Sequence, residues 1–345
     1  MDIFFEEGLV TLVTKTSQEH QVQDSTEYNL YGRWVIPGLV DMHSHHLAGS
    51  WPANEVTDDA NELDPKSRGM TAMNRILNTL KPYDVATSLI CSGGITSSLL
   101  LPGSANLIAG EGIPVKNAVS SGMNGEPVID NYLLERGVDW KDRRRYIKLV
   151  YGENPKSVWG YSRRGNAMQS RLHFQKAKEL KDKQDDYCVS LAGSQSWSDT
   201  RKIYFIKVNG MMPFQIDLES TIGVLRGRVA VHNHNYEPED MYTMLRISKE
   251  FGFKIMAFHH DLSAWQVPEM LKVFGGNLTI ATFAEFSLYK QESAAPSLYA
   301  SSILNKHSIP VVFKSDHCVG TLSAKYLMSQ AAVGHAFDLP EVAAL

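Results

Sequence analysis

The histidines of this chain are grouped in a way that suits metal-ion chemistry. Eight of the twelve lie in four short groups, which comprise His43, His45 and His46, then His232 and His234, then His259 and His260, and finally His317. His43 and His45 are one residue apart, so on a strand both side chains leave the same face and can bind one ion. Imidazoles combined with a carboxylate are typical zinc ligands, whereas magnesium and calcium prefer oxygen. The groups therefore predict a site for zinc or a similar divalent metal.

A structural role is the alternative for each of these groups. Buried histidines often bond to backbone carbonyls without binding any metal. Three of the groups, however, follow directly after apolar, β-branched runs of sequence. A shared position at the ends of buried strands favours a common site over four unrelated structural roles.

Apolar runs that alternate with amphipathic stretches must position these histidines. The runs predict eight strands, over residues 34–42, 96–101, 114–119, 146–151, 228–233, 254–259, 278–283 and 310–314. Helices are predicted between several of them, over 164–186, 238–251 and 264–274, and residues 188–213 have no periodicity and suggest an inserted loop. This alternation predicts an α/β fold, a parallel (β/α)8 TIM-like barrel. A doubly wound sheet is disfavoured because no Gly-x-Gly-x-x-Gly motif follows a strand.

In such a barrel the active residues lie at the C-terminal ends of the strands. His43 and His45 end the first predicted strand, His234 follows the fifth, and Asp316 follows the eighth. The sixth strand ends in two consecutive histidines, whose side chains should point in opposite directions. We therefore expect only one of those two to reach the barrel axis.

Composition excludes several classes of function. A net charge of −4 over 345 residues gives no electrostatic basis for binding nucleic acid or anionic membranes. The three cysteines match no disulfide framework or zinc motif, and no apolar stretch reaches the ~18 residues of a membrane span. An acidic N-terminus is unlike a signal peptide. These features predict an intracellular, cytoplasmic protein that acts on a small molecule.

Several short motifs resemble those of one enzyme superfamily. The string from Pro37 to His45, Pro-Gly-Leu-Val-Asp-Met-His-Ser-His, resembles the first-strand signature of the amidohydrolases. The likeness is strongest to imidazolonepropionase-like members, in particular to fungal amidohydrolases grouped with N-acetylglucosamine-6-phosphate deacetylases. It continues through residues 92–97, 101–110, 152–156, 257–260 and 314–317, and so spans about residues 32–335.

The resemblance implies a set of ligands and a catalytic base. It assigns His43 and His45 as metal ligands and Asp316 as the general base. On strand five it implies His234 as a ligand, with His232 beside it as a substrate contact. On strand six it implies His260 as the ligand, with His259 as the alternative ligand or a substrate contact.

For the strand-four ligand, Glu153 is favoured and Lys148 is the alternative. Glu153 lies nearest the end of that strand and could bind directly, whereas Lys148 could be carboxylated and bridge two metals. The loop over 103–112 is glycine-rich, which suits close backbone approach to a substrate, and Asn106 and Gly110 are its candidate substrate contacts. One or two zinc ions are expected.

The implied activity is metal-dependent hydrolysis of non-peptide C–N bonds, in amides, cyclic amides or N-acetyl groups, through an activated water. Hydrolysis of esters or lactones differs only in the substrate. The alternative function is a catalytically inactive barrel that binds metal or ligand without turnover. That alternative arises because relatives continue well beyond strand eight, whereas this chain ends at Leu345.

The domain prediction follows from the same comparison of lengths. Residues 1–33 are expected to be the N-terminal β segment of an incomplete small β-sandwich, and residues 34–345 the hydrolase barrel. In that arrangement residues 9–14 form a strand with an open edge. Such an edge can pair with a second copy of the chain, so a homo-oligomer is one expected outcome.

Overall fold

The computed structural model describes residues 1–6, 9–16, 25–52, 54–117, 129–192, 201, 204, 206–207, 210–285, 290–318 and 322–345. These residues divide into two compact units, Met1–Pro37 and Gly38–Leu345. In the first unit, β1 (Asp2–Glu6) pairs with β2 (Leu9–Thr14) in an antiparallel two-stranded sheet, which includes the strand predicted over 9–14. The Thr16 hydroxyl donates a 2.8 Å hydrogen bond to Asp2 and ties the end of β2 to the start of β1.

Eight strands form the sheet of the second unit. In chain order they are β3 (Leu39–Ser44), β4 (Ile95–Leu100), β5 (Ile108–Lys116), β6 (Arg145–Val150), β7 (Val229–Asn235), β8 (Ile255–His260), β9 (Thr279–Thr282) and β10 (Val311–Phe313). Each pairs with its neighbours in chain order, and a parallel bridge between Ser44 and His317 joins the first to the last. The sheet is therefore an almost closed barrel, which confirms the predicted TIM-like α/β fold.

One strand departs from the predicted parallel arrangement. β5 is antiparallel to both β4 and β6, whereas the remaining neighbours are parallel. Only residues 101–107 connect β4 to β5, and a parallel pairing needs a crossover of about a dozen residues or more. The strand predicted over 114–119 also begins earlier than predicted, since β5 starts at Ile108. Residues 118 and 119 lie outside the described part of the chain.

The first barrel strand begins later than predicted and ends later. Residues 34–38 are not part of it, although they are mostly apolar; Pro37 has no backbone N–H to donate to a neighbouring strand. β3 instead runs from Leu39 to Ser44, so that His43 lies within the strand and His45 just beyond it.

The helices lie between the strands and after the last one. They are α1 (Ala86–Ser92), α2 (Ile129–Tyr132), α3 (Glu153–Trp159), α4 (Arg163–Ala192), α5 (Ile216–Leu225), α6 (Pro238–Phe251), α7 (Pro268–Gly275), α8 (Ala300–Lys306), α9 (Leu327–Ala336) and α10 (Glu341–Ala344). No helix of the described residues is both long enough and apolar enough to cross a membrane.

Helix α6 matches its prediction, and two other predictions need correction. Helix α4 extends through residue 192, so residues 188–192 of the expected loop are helical; most of residues 193–209 lie outside the described part. The helix predicted over 264–274 is two pieces, the short 3-10 turn Ala264–Gln266 and α7. The break falls at Val267, which has φ −132°, because the residue before a proline is disfavoured in helical conformation.

The largest apolar cluster lies between the barrel strands β6–β9 and helices α4 and α6. In this cluster the ring of Phe174 on α4 is stacked on Phe253 with centroids 4.7 Å apart, and Phe251 lies against the same ring. Burial of one such side chain contributes about 1.5–3 kcal/mol. The helices thereby hold β6, β7 and β8 in place, and these strands carry five of the buried polar groups described next, Lys148, His232, His234, His259 and His260.

Candidate active site

The seam between the first and last barrel strands brings the candidate ligands together. Oδ1 of Asp41 on β3 accepts hydrogen bonds from the backbone N–H of Ser315 at 2.9 Å and of His43 at 3.2 Å. The Ser315 hydroxyl donates to Oδ2 of the same carboxyl group. The backbone N–H of Asp316 donates to the carbonyl of His43 at 2.9 Å. Asp41 thus fixes the chain that carries Asp316 beside the strand that carries His43.

Three side chains converge at this seam. Oδ1 of Asp316 lies 3.2 Å from Nε2 of His43 and 3.4 Å from Nε2 of His45. One ligand atom from each of the three lies within 4.8 Å of the others, and all three residues are buried. Residues 43, 45 and 316, predicted from strand-end positions to meet, do lie together.

The charges of His43 and Asp316 suit the binding of a cation between them. Burial, reinforced by the nearby Lys148 and Lys314, holds the pKa of His43 well below its usual value, so His43 is neutral near pH 7. Burial alone would raise the pKa of Asp316, but the charge of Lys314 and the neighbouring His260 and His45 hold it well below the usual value. When the proton of the neutral His43 is on Nδ1, the lone pair of Nε2 and a carboxylate oxygen face each other at 3.2 Å. Such a pair of acceptors is stabilised by a metal ion between them.

The other nitrogen of His45 is anchored to the backbone. Its Nδ1 donates a 2.7 Å hydrogen bond to the carbonyl of Leu101, an oxygen that can only accept. The proton of a neutral His45 is therefore on Nδ1, and the lone pair of Nε2 faces Asp316. A second hydrogen bond of this kind commonly orients imidazoles that bind metals.

Three histidines form a hydrogen-bonded chain behind the seam. Nδ1 of His43 lies 3.0 Å from Nδ1 of His259, and Nε2 of His259 lies 2.8 Å from Nδ1 of His232. The amine of Lys148 donates to Nε2 of His43 at 3.1 Å, so a neutral His43 carries its proton on Nδ1. Each imidazole then donates to the next, and the chain ends on Nε2–H of His232. Both nitrogens of His259 are occupied in this chain.

Two further histidines each have one unpaired nitrogen. Within the described residues, neither Nδ1 of His234 nor Nε2 of His260 has a hydrogen-bonding partner, although both atoms are buried. The centroids of the two rings are 4.2 Å apart, and Nε2 of His260 is 3.9 Å from Oδ1 of Asp316. Buried polar atoms without a partner are costly, and beside a carboxylate these two nitrogens could bind a metal ion once they carry no proton.

The expectation that only one of His259 and His260 reaches the axis is wrong. The ring of His43 lies 4.8 Å from that of His259 and 5.1 Å from that of His260. His260 has φ +76°, so the regular alternation of the strand ends there. Asp316 also has a positive φ, of 52°. Left-handed conformations at residues other than glycine cost about 1–3 kcal/mol and are typical of functional sites.

Two lysines are buried among these groups. Nζ of Lys148 donates to the carbonyl of Pro102 at 2.8 Å, and burial lowers the pKa of this lysine to about 7. Nζ of Lys314 lies 2.8 Å from Nδ1 of His260 and 3.5 Å from the centre of the Phe283 ring. Burial lowers the pKa of Lys314 to about 8, although the neighbouring Asp316 opposes the shift.

Three predicted site residues are engaged elsewhere. Glu153 accepts a hydrogen bond from the backbone N–H of Glu292 at 3.0 Å, and its own N–H donates to the Glu292 carboxylate at 2.7 Å. Asn106 is buried, donating to the Thr71 hydroxyl at 3.0 Å and accepting from Trp159 at 3.2 Å. Gly110 has φ +117°, a conformation for which glycine is suited. Glu153 is not among the converging ligands, and the roles of Asn106 and Gly110 as substrate contacts stay predictions.

His46, the third histidine of the first group, has a structural environment. It accepts from the Ser44 hydroxyl at 2.6 Å and donates to the Asn117 side chain at 3.1 Å. Burial lowers its pKa to about 3, so it is neutral.

The sequence analysis missed two charged residues of the site. Asp41 lies two residues before His43 on β3 and hence on the same face of that strand, whereas Lys314 lies two residues before Asp316, directly after β10. Both interrupt apolar runs, and a charge in a strand predicted to be buried is the signal that could have identified them.

Comparison with known proteins gives one relative and one structural neighbour. No protein-family model matches the chain. The chain is 34% identical over 355 aligned residues to amidohydrolase tasK of Hapsidospora irregularis, a match that covers 100% of this chain and 34% of the relative. This chain thus spans about a third of the length of that protein. The crystal structure of an amidohydrolase from Thermotoga maritima MSB8 has the same fold, with a TM-score of 0.80, 23% identity, and coverage of 99% of this chain and 80% of that one.

Proposed function

We propose that this chain, which is similar to amidohydrolases in its motifs and in sequence and shares the fold of one, is a metal-dependent hydrolase of non-peptide C–N bonds in small molecules. Amides, cyclic amides and N-acetyl groups are the proposed substrate class, zinc is the proposed metal and the cytoplasm the proposed compartment. The observation that carries the proposal is the convergence of His43, His45 and Asp316 on one point at the mouth of the barrel.

The residues present fit a divalent metal. His43, His45 and Asp316 would hold one ion, and the unpaired nitrogens of His234 and His260 suit a second one. This choice of His260 over His259 rests on the hydrogen bonds that occupy both nitrogens of His259. A bound metal would polarise the substrate carbonyl and lower the pKa of water.

For the bridging residue on strand four, we favour Lys148 over Glu153. The amine of Lys148 lies 3.1 Å from His43, and its lowered pKa of about 7 gives it a sizeable neutral fraction near pH 7, the form that can be carboxylated. Glu153 is held by its two hydrogen bonds with Glu292.

The roles of the remaining groups follow from their contacts. Asp316 is ionised well below neutral pH, so it can take up the proton of an attacking water and pass it to the leaving nitrogen. His259 and His232 are positioning residues, since their hydrogen bonds fix the proton of His43 on Nδ1 and keep Nε2 available. Asn106 and Gly110 support the fold of their loop in this assignment.

Hydrolysis of a panel of N-acyl compounds and cyclic amides by zinc-loaded protein tests the proposal. Wild-type protein should hydrolyse at least one class, and Asp316→Asn should lose most of that activity. Asp139→Asn makes the same chemical change at an exposed position and should retain it. Zinc content must be measured for each variant, because Asp316 is also a candidate ligand. Zinc-loaded wild-type protein that hydrolyses nothing on the panel would support the inactive barrel instead.

A further inference from the structure

A pocket lies at the end of the barrel opposite to the histidines. Arg145 begins β6, whereas the candidate ligands lie at or just beyond the C-terminal ends of the parallel strands β3, β7, β8 and β10. β5 runs in the opposite direction, so its later residues, including Ile113, also reach this end. At about 3.3 Å per residue, Arg145 is some 10 Å along β6 from Lys148. The pocket is therefore separate from the candidate active site.

The wall of this pocket is apolar. Leu77, Ile113 and Leu133 line it together with the indole of Trp140, and it holds about 570 Å³ of space, part of which is open to solvent. Leu133 is almost completely buried, whereas Trp140 is half exposed. An apolar floor with an aromatic side chain at the rim suits a small ring or a short hydrocarbon group.

Arginines surround this wall, and only one of them is fully neutralised. Arg145 is bonded to both Glu111 and Glu219. Arg75 lies over the Trp140 ring at 5.1 Å, and its nearest carboxylate oxygen, on Glu111, is 3.7 Å away.

The other two arginines have no ion pair with any described residue. Arg143 donates through Nε to the carbonyl of Val138 at 2.8 Å, and the Arg144 side chain bonds to Tyr146. Across the described ranges, no carboxylate lies within ion-pair distance of either guanidinium. Four arginines and two glutamates, Glu111 and Glu135, line the pocket, and Glu219 pairs with Arg145, so one positive charge remains in excess.

We propose that this pocket binds an amphipathic organic anion, a carboxylate attached to an aromatic ring or short hydrocarbon body. The apolar floor and Trp140 would contact the body, and Arg143, with Arg75 beside it, would bind the carboxylate. Guanidinium groups suit this role because they donate two parallel hydrogen bonds to a carboxylate. The site is independent of the proposed hydrolase activity.

Isothermal titration calorimetry with four probes tests the proposal. Benzoate combines the ring and the charge, benzyl alcohol has the ring alone, benzylamine reverses the charge, and inorganic phosphate lacks the ring. Benzoate should bind with one-to-one stoichiometry, at least tenfold more tightly than each of the others. Equal affinity for benzyl alcohol or benzylamine would overturn the role of the arginines, and equal affinity for phosphate would overturn the role of the apolar floor.

Two variants locate the binding. Arg143→Gln should weaken benzoate binding about tenfold, the cost of one charge-assisted hydrogen-bonding partner. Arg171→Gln removes the same charge from the exposed face of α4, where Arg171 pairs with Glu250, and should bind like the wild type. Should Arg143→Gln not fold, Arg75→Gln tests the same prediction with a severalfold loss. Benzoate binding that is lost after chelation of metal but insensitive to these arginines would place the ligand in the candidate active site and refute the proposal.

Discussion

Replacing Asp41 with asparagine should stabilise the metal-free protein at neutral pH. Burial raises the pKa of Asp41 from 3.8 to about 6, because the loss of hydration outweighs the hydrogen bonds from Ser315 and His43 and the charge of Lys314, which oppose the shift. The folded protein therefore binds this proton more tightly than the unfolded chain. The contribution of Asp41 to stability is fully present below pH ~4 and is lost as pH rises through about 6.

The size of the effect follows from these two pKa values. A difference of about two pH units corresponds to a loss of about 3 kcal/mol of folding free energy at pH 7. Asparagine can retain the local hydrogen bonds, because Oδ1 still accepts from the N–H groups of Ser315 and His43. Its Nδ2 group can donate to the Ser315 hydroxyl, which lies 3.4 Å from the carbonyl of His43 and can donate there in turn. The variant thus removes the charge and little else.

Urea denaturation of metal-free protein at pH 4, 5, 6 and 7 measures the difference. Asp41→Asn should match the wild type at pH 4 and exceed it by about 3 kcal/mol at pH 7. Asp139→Asn, at an exposed site, should differ from the wild type by no more than about 0.5 kcal/mol at any pH. A difference that does not change with pH, or a variant less stable than the wild type at pH 7, would refute the reasoning.

Three further changes test other parts of the structure. His45→Ala should lower the zinc content measured by mass spectrometry and reduce the rise in melting temperature that zinc produces, since metal binding adds to folding stability; unchanged values would exclude His45 as a ligand. Phe174→Ala should lower the free energy of unfolding in urea by about 3–5 kcal/mol, because the ring is buried and stacked on Phe253; a loss below 1 kcal/mol would contradict this packing. Gly110→Ala should destabilise by at least about 1 kcal/mol, since φ is +117° and a Cβ would lie 2.5 Å from the carbonyl oxygen of Asn74; undiminished stability with altered substrate affinity would return Gly110 to a binding role.

The sequence was sufficient to predict the barrel because most strands are continuous apolar runs. It did not predict the direction of β5, since periodicity shows which residues are buried but not which way a strand runs. The first half of β5 contains Gly110, Glu111 and Gly112, which interrupt the apolar pattern, and only the short connection from β4 indicates an antiparallel pairing.

In the candidate active site, the sequence predicted the residues at strand ends but not the residues that form hydrogen bonds with their neighbours. His43, His45 and Asp316 meet because each lies at the same end of a strand. The partner of Asp41 is Ser315, on the opposite end of the chain, and no local pattern reveals such a pairing. The position of Glu153 just after β6 suggested a metal ligand. Gly152, at φ +93°, turns the chain into α3, however, and Glu153 there accepts a hydrogen bond from Glu292.

The hairpin-like connection between β4 and β5 leaves two backbone carbonyls at the candidate active site. Leu101 accepts from His45 and Pro102 accepts from Lys148. A helical crossover would have carried the chain away from the mouth of the barrel at this point. Because these acceptors belong to the main chain, both carbonyl oxygens are retained when Leu101 or Pro102 is replaced by another residue. A change in the length of the connection would displace both together, so this part of the site tolerates point mutation better than insertion or deletion.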